Sequence, residues 1–223
     1  MRRSEFAIDI DNDPQEIAAF LHEQFFGYLA TTGEDGFPRI KPLNFVYDEQ
    51  QHVIYFHSSR KGEKMSQLAA DPRASFAVAE MHSLIPSYFT NPVNACPATN
   101  FFRSVYMKGT VHVVTDLQEK AAAFTAFMEK LQPEGGYEPF DWTQPGYKQQ
   151  EAAVSLMKLQ IEHLSAKFKF GQNLTPQKVE QVEHGLAHRQ APGDEATIEW
   201  MRKLCPHRSA LDGQVTATDN ETS

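Results

Sequence analysis

His52-Val-Ile-Tyr-Phe-His57-Ser-Ser-Arg60-Lys61-Gly62-Glu-Lys64 is the stretch on which the fold turns. Val53–Phe56 is a short run of β-branched and aromatic residues, the composition of a strand. It runs into two hydroxyls, then three cations around a glycine, then a helical pattern over Gly62–Ala70 with Met65, Leu68 and Ala69 on one side. A strand that ends in hydroxyls and cations where a helix begins suits an anion. A phosphate monoester needs charged and hydrogen-bonding donors from several directions, and a helix start offers unpaired N–H groups and the positive end of a dipole. Ser58 and Ser59 are expected to cap and donate, Arg60, Lys61 and Lys64 to supply charge, and Gly62 to permit close approach. The same residues also describe a solvated basic turn, and the pattern alone leaves both readings open.

The setting sharpens the contrast. The chain has 223 residues, 41% hydrophobic and 22% charged, with a net charge of −8. That balance suits a packed core and argues against a sequence-independent nucleic-acid binder, which needs a basic face. The basic run at 60–64 therefore stands out against an acidic chain. Cys96 and Cys205 lie far apart, as expected of reduced thiols in a cytoplasmic protein. Met1-Arg2-Arg3-Ser4 is followed by no apolar run, so no secretory signal is expected. No window approaches the roughly 18 apolar residues of a membrane span.

Outward from 52–64, turns punctuate short strands. Asp13-Pro14-Gln15-Glu16 opens a helix over 14–25 whose apolar residues Ile17, Phe20, Leu21 and Phe25 recur at helical spacing. Phe26–Thr32 and Phe37–Tyr47 read as strands around the turn Gly33–Gly36, and Pro38 and Pro42 place the second at an edge or make it irregular. After Asp71-Pro72 come a strand over Ala74–Glu80 and a long irregular segment over 81–101. A strand over Phe102–Thr115 has Gly109 at a possible bulge, and Asp116 caps a helix to Leu131. Gln132–Tyr147 reads as loop, and Ala153–Ile161 as a strand that Ala166–Phe170 continues. Polar helices follow from Thr175, and residues 206–223 read as a disordered tail. The sum is a mainly β fold with peripheral helices: six or so antiparallel strands in a small barrel, over residues 1–173, then a helical C-terminal extension over 174–205.

Other residues invite chemistry. His184 and His188 stand four apart on a predicted helix, with Glu180 one turn before, yet no third ligand is evident and no metal site is expected. Cys96 lies in the long segment, where it either lines a pocket or packs as a free thiol. Tyr88, Phe89, Phe101 and Phe102 are available to stack on an aromatic ligand or to pack the segment on the barrel.

Several pieces share an order. Tyr28-Leu-Ala-Thr-Thr, Gly36-Phe-Pro38-Arg-Ile-Lys41-Pro42, Val53-Ile-Tyr-Phe-His57-Ser-Ser-Arg60-Lys61-Gly62 and Asp71-Pro72 together resemble the pyridoxamine 5'-phosphate oxidase-like superfamily of FMN-binding split barrels. His57, Leu84-Ile-Pro86-Ser87 and Phe102-Arg103-Ser104-Val105 resemble its Nim-type nitroimidazole-resistance group, and Lys167-Phe-Lys169-Phe-Gly-Gln172-Asn173 is similar to a signature of related FMN-binding regulators. The resemblance covers residues 26–173. It implies a homodimer with FMN at the subunit interface. It implies that Lys41, Pro42, Leu43 and Asn44 flank the flavin ring, and that His57, Ser58, Ser59, Arg60, Lys61 and Lys64 hold ribityl and phosphate. Arg103 and Ser104 are implied to help hold the cofactor or the dimer, and Lys167, Lys169 and Asn173 either reach the cofactor of one or the other subunit or stand as exposed strand residues. His57 is implied to be the catalytic residue, a proton donor to a nitro group or flavin, or a haem ligand, since some split barrels bind haem. The implied activity is FMN-dependent reduction of small nitro-aromatic or similar acceptors. The alternative is a flavin- or haem-binding regulator or carrier without turnover. The C-terminal arginine pattern of pyridoxamine-phosphate oxidase itself is not found.

Overall fold

The computed structural model describes residues 7–8 and 13–204, so Cys205 and the expected tail at 206–223 lie outside the described residues. In chain order the elements are β1 (Ala7–Ile8), α1 (Pro14–Glu23), β2 (Phe26–Thr32), β3 (Pro38–Asn44), β4 (Val46–Asp48), β5 (Val53–Ser59) and α2 (Glu63–Ala70). Then come β6 (Arg73–Ile85), β7 (Thr99–Val113), α3 (Leu117–Leu131), α4 (Pro145–Ala153), β8 (Val154–Lys169), α5 (Pro176–Arg189) and α6 (Asp194–Leu204). The strands form one sheet in the order β3-β2-β6-β7-β8-β5-β4, with β1 beside β8. Among the described residues no helix is long and apolar enough to cross a membrane.

The strand expected over 37–47 is two strands. β3 pairs antiparallel with β2 and β4 with β5, at opposite ends of the strand order, and only Phe45 separates them. A one-residue link between the two end strands forces the sheet to curl until its edges meet, which makes a barrel whose ladder stays open at that seam. Phe45 is buried at the corner, its ring edge-on to Phe76 at 5.3 Å. β3 stands at an end of the order, where the missing N–H groups of Pro38 and Pro42 interrupt little.

The chain forms two compact units. One holds 13–78 and 105–166 of the described residues and contains the barrel. Leu29, Ile54, Phe56, Phe76, Met107, Met157 and Leu159 fill its core with Phe20 and Leu21 of α1. α3 covers the other face of β5, where Val53, Tyr55 and Leu156 meet Ala123 and Phe127. Asp116 caps α3 as expected, its carboxylate accepting from the Glu119 N–H at 2.7 Å. Asp13 makes no such bond at α1. At the far end of α3, Lys130 donates to the carbonyls of Leu21 (3.2 Å) and Phe45 (3.4 Å), and its ammonium lies 4.4 Å from the Phe45 ring centre. Burial brings that amine down to about 8. Gly109 sits within β7. A Cβ there would lie 1.8 Å from the Gln160 carbonyl oxygen of β8, so the glycine admits a close approach of two backbones.

The other unit holds 7–8, 79–104 and 167–204 of the described residues. It takes residues 79–85 of β6, 99–104 of β7 and 167–169 of β8, so β6 runs past its expected end at Glu80 and β7 begins before its expected start at Phe102. Here α5 and α6 are tied to β6. Buried Asp194 accepts from Arg189 Nε at 2.9 Å, Ser83 Oγ at 2.8 Å and the Ala191 N–H at 2.9 Å. Burial alone would raise that carboxyl, but these donors outweigh it and hold it below the usual range. Phe89 packs against Gly185, where a Cβ would lie 2.6 Å from its ring, and Phe170 stacks on Trp200 at 5.5 Å.

Candidate functional site

β5 carries the first set of expected site residues, in the barrel unit. Val53 to Phe56 are all buried because both faces of β5 are covered, and burial ends at His57. Residues 53, 55 and 57 share the face toward α3. There the His57 ring meets Phe127 edge-on at 5.2 Å and Phe124 at 6.0 Å, while part of the imidazole stays open to solvent. Burial, then the nearby Lys64 ammonium, holds its pKa below the ordinary value, so the ring is neutral at pH 7.

The turn that follows is built differently from the expected serine cap. Ser58 Oγ donates to the Ser59 carbonyl at 3.0 Å, and Ser59 Oγ accepts from the Lys61 N–H at 3.3 Å. Neither caps α2. Gly62 does, with φ at +121°, its carbonyl accepting from the Met65 N–H at 3.0 Å. That φ disfavours any side chain, and a Cβ built on Gly62 meets nothing within 4 Å. The backbone here is open to a ligand.

The cations divide into groups. Arg60 donates from Nη2 to the side chain and the carbonyl of Glu151 on α4, at 2.9 and 2.7 Å, and Glu151 also pairs with Lys120. Arg60 is thus held to α4. Lys61 is exposed and has no side-chain partner among the described residues. Lys64 is buried, its ammonium 5.9 Å from the Phe56 ring centre, and burial followed by the charge of Lys41 lowers its pKa. Lys41 pairs with Glu63 at 2.8 Å, and Arg39 with the same carboxylate at 3.2 Å. Lys41, then Arg39, holds the Glu63 carboxyl below its usual range. A carboxylate of this chain already answers the cations at the start of α2.

Arg39 and Glu63 were not among the expected site residues. The signal for Arg39 was present, since residues 39 and 41 share a face of one strand. The same alternation divides 41–44. Lys41 and Leu43 stand opposite Leu29 and Gly27, whereas Pro42 and Asn44 stand opposite Tyr28 and Phe26 on the other face. Asn44 donates to the Phe25 carbonyl at 3.1 Å. These four side chains do not converge on one point.

The second set belongs to the other unit. Arg103 is buried, paired with Glu80 at 2.6 Å, with its guanidinium 5.2 Å from the Trp200 ring centre and 6.0 Å from that of Phe168. Ser104 Oγ donates to the Lys167 carbonyl at 3.4 Å. The contacts given for both lie within that unit. Lys167, Lys169 and Asn173 do come together, lining a cavity of about 670 Å³ with Phe101, Phe102 and Cys96. His184 and His188 stack at 6.5 Å, and among the described residues no group of three His, Cys, Asp or Glu side chains could hold a metal ion.

The expected flavin phosphate fits the β5–α2 turn on one observation: an open glycine backbone beside a cationic set of Lys61, Lys64, Lys41 and Arg39. Comparison with known proteins bears on the whole fold. No curated protein matches the chain. A proposed 5-nitroimidazole antibiotic resistance protein of Bacteroides thetaiotaomicron superposes with a TM-score of 0.56 at 20% identity, over 72% of this chain and 85% of that one. The flavocytochrome Anf3 of Azotobacter vinelandii gives 0.56 at 21%, over 70% and 67%. A FAD- and heme-binding protein of Mycobacterium smegmatis gives 0.58 at 17%, over 70% of each chain. Likeness at this identity is likeness of fold, and the fold is the split barrel. The family model for pyridoxamine 5'-phosphate oxidase matches residues 13–168, from the start of α1 to the end of β8, so the chain belongs to the pyridoxamine 5'-phosphate oxidase-like family.

Proposed function

We propose that this protein binds FMN and reduces small acceptors of the nitro-aromatic kind. The observation that carries the reading is the β5–α2 turn, where Gly62 leaves its backbone open beside Lys61, Lys64 and Lys41 at a helix start. Lys61 and the turn's N–H groups would hold the phosphate. Lys64 and Lys41 would add charge without leaving their present partners, since a long-range field needs no direct contact. Bound flavin would supply the two-electron chemistry, and the protein binding and orientation. His57 on β5, its ring edge-on to Phe127 on the α3 side, would hold a proton near the substrate. The similar structures, a proposed nitroimidazole resistance protein, a flavocytochrome and a FAD- and heme-binding protein, favour a redox cofactor.

The test is the absorbance of the purified protein titrated with FMN. Flavin bands near roughly 370 and 450 nm are expected of a bound cofactor. Lys61→Ala should weaken FMN binding by roughly tenfold, as loss of one charge-assisted phosphate contact does. A wild-type protein that binds no FMN ends this reading. Arg60→Ala is the poorer probe because it also breaks the Glu151 pair.

A second reading is a flavin or haem carrier without turnover. Burial keeps His57 neutral, and the neutral imidazole is the form that ligates metals. A Soret band in the protein reconstituted with haemin, lost in His57→Ala, would favour it. We place the protein in the cytoplasm as a homodimer acting on a small molecule, with no direct nucleic-acid or membrane partner. The acidic charge and the exposed free thiol of Cys96 fit that assignment.

A further inference from the structure

Residues 132–153, between α3 and β8, play no part in the reading above. Within them, Tyr137-Glu-Pro-Phe140-Asp-Trp142-Thr-Gln-Pro-Gly-Tyr147 puts four aromatic side chains into a stretch of eleven residues, in a chain that is 11% aromatic. The four gather into one cluster. The Phe140 ring lies 5.0 Å from Tyr147, 5.9 Å from Trp142 and 6.3 Å from Tyr137, centre to centre. The cluster is seated on α3, where Phe124 is 5.6 Å from Phe140 and 5.9 Å from Trp142. Phe124 is also the ring 6.0 Å from His57. Aromatic surface thus runs without a break from the imidazole at the end of β5 out along this segment. None of the five aromatic side chains is fully buried, whereas Phe127 beside them is. Two polar handles are already satisfied within the chain: Trp142 Nε1 donates to the Leu117 carbonyl at 2.9 Å, and the Tyr147 hydroxyl to the Glu138 carbonyl. What the cluster offers a ligand is therefore ring surface.

The segment is tied down by polar contacts. α4, which ends it, has no buried residue, so packing alone does not fix its place. Its Glu151 pairs with Arg60 of the β5–α2 turn and with buried Lys120 of α3, and the Arg60 N–H donates to the Ala153 carbonyl at 3.4 Å. Leu117, Lys120 and Phe124 recur at helical spacing on one flank of α3, and they meet Trp142, Glu151 and Phe140 in turn. We infer that residues 137–153 form the specificity wall of the His57 site: Phe124, Phe140 and Trp142 select molecules with a flat aromatic ring, and Glu151 positions the wall. The inference rests on the reading of His57 as facing the substrate, and it does not need FMN. It adds that the ring, and not the nitro group, is what the chain recognises.

The experiment uses the full chain, with and without FMN. Diethyl pyrocarbonate acylates open, neutral imidazoles, and peptide mass spectrometry follows its rate at His57, with exposed His184 and His188 as internal controls. The probes are 4-nitrobenzyl alcohol and nitroethane, which share the nitro group and differ in the ring. The aromatic probe should slow acylation of His57 saturably and leave His184 and His188 unaffected, and nitroethane should protect none of them. Phe124→Leu, and Phe140→Leu with Trp142→Leu, should each raise the half-protecting concentration roughly fivefold, as loss of an aromatic partner does. Glu151→Ala should also raise it and should speed tryptic cleavage after exposed Lys148. Glu151→Gln keeps an acceptor for Arg60 and Lys120 and should restore part of the protection. Equal protection by nitroethane, no protection of His57 by the aromatic probe in either form of the protein, or an unchanged half-protecting concentration in all three wall variants would overturn the inference. FMN bound with no protection by the ring ends this inference alone. Protection of His57 in a chain that binds no FMN supports the wall and ends the flavin reading alone.

Discussion

At the scale of single residues, His57 shows how environment decides what a side chain can do. Its sequence position suggested a proton donor. The structure sets its ring against Phe127 and within reach of the Lys64 charge, and both lower its pKa below the usual 6.5. A donor must be protonated. If His57 donates in the rate-determining step, nitro-reductase activity should therefore fall as pH rises through a value below 6.5, and be low at pH 8. His57→Gln, with FMN still bound, should remove that limb from the pH profile. A profile identical in wild type and variant would return His57 to a packing role. Stability carries the opposite sign. The unfolded chain binds the proton more readily, so this residue's contribution is present above 6.5 and lost as pH falls through the depressed folded value.

At the scale of elements, Gly109 gives the sharpest expectation. A Cβ at 109 would meet the Gln160 carbonyl oxygen at 1.8 Å, and a backbone atom of a neighbouring strand cannot swing aside as a side-chain tip can. Gly109→Ala should cost about 3 kcal/mol through the forced separation of β7 and β8, read as a lower denaturant midpoint. A midpoint within error of wild type would show that the strands have room. The same position marks the limit of what the sequence disclosed. A glycine within a strand run signalled something unusual, but bulge and close approach leave the same trace in one sequence. The strand and helix types were legible because Val53–Phe56, Phe26–Thr32 and the Asp116 cap announce themselves locally. The break at Phe45 was not, because it depends on β3 and β4 pairing with different neighbours. α4 was not foreseen: only its first three residues fell in the expected loop, none of its residues is buried, and it shows no apolar face. At the candidate site the cations were legible and their partners were not. Glu151 answers Arg60 from 91 positions away, and Glu63 answers Lys41 from 22.

At the scale of the molecule, the outward face of β2 and β3 argues for self-association. The paired register puts Phe26 beside Asn44, Tyr28 beside Pro42, Ala30 beside Ile40 and Thr32 beside Pro38. None of these eight outward residues is charged, although 22% of the chain is. Phe26, Tyr28 and Ile40 are 49%, 47% and 65% exposed. A large apolar face without charge, on a chain of net charge −8, is costly to leave in water. A second copy would cover it with the same residues, and a two-fold axis would let each patch serve both partners. A stable contact of this kind needs about 800 Å² from each partner, so the neighbouring outward residues Ser75, Ala77 and Tyr106 would join these eight. Sedimentation velocity at micromolar concentration should therefore give twice the chain mass. Tyr28→Glu with Ile40→Glu should give a folded monomer, because like charges would face one another across the axis while the buried side of the barrel stays intact. If the flavin lies at that interface, the same variant loses FMN together with its partner. A monomeric variant that retains full FMN affinity would place the cofactor within a single barrel, and a wild-type monomer would leave the apolar face to some other molecule.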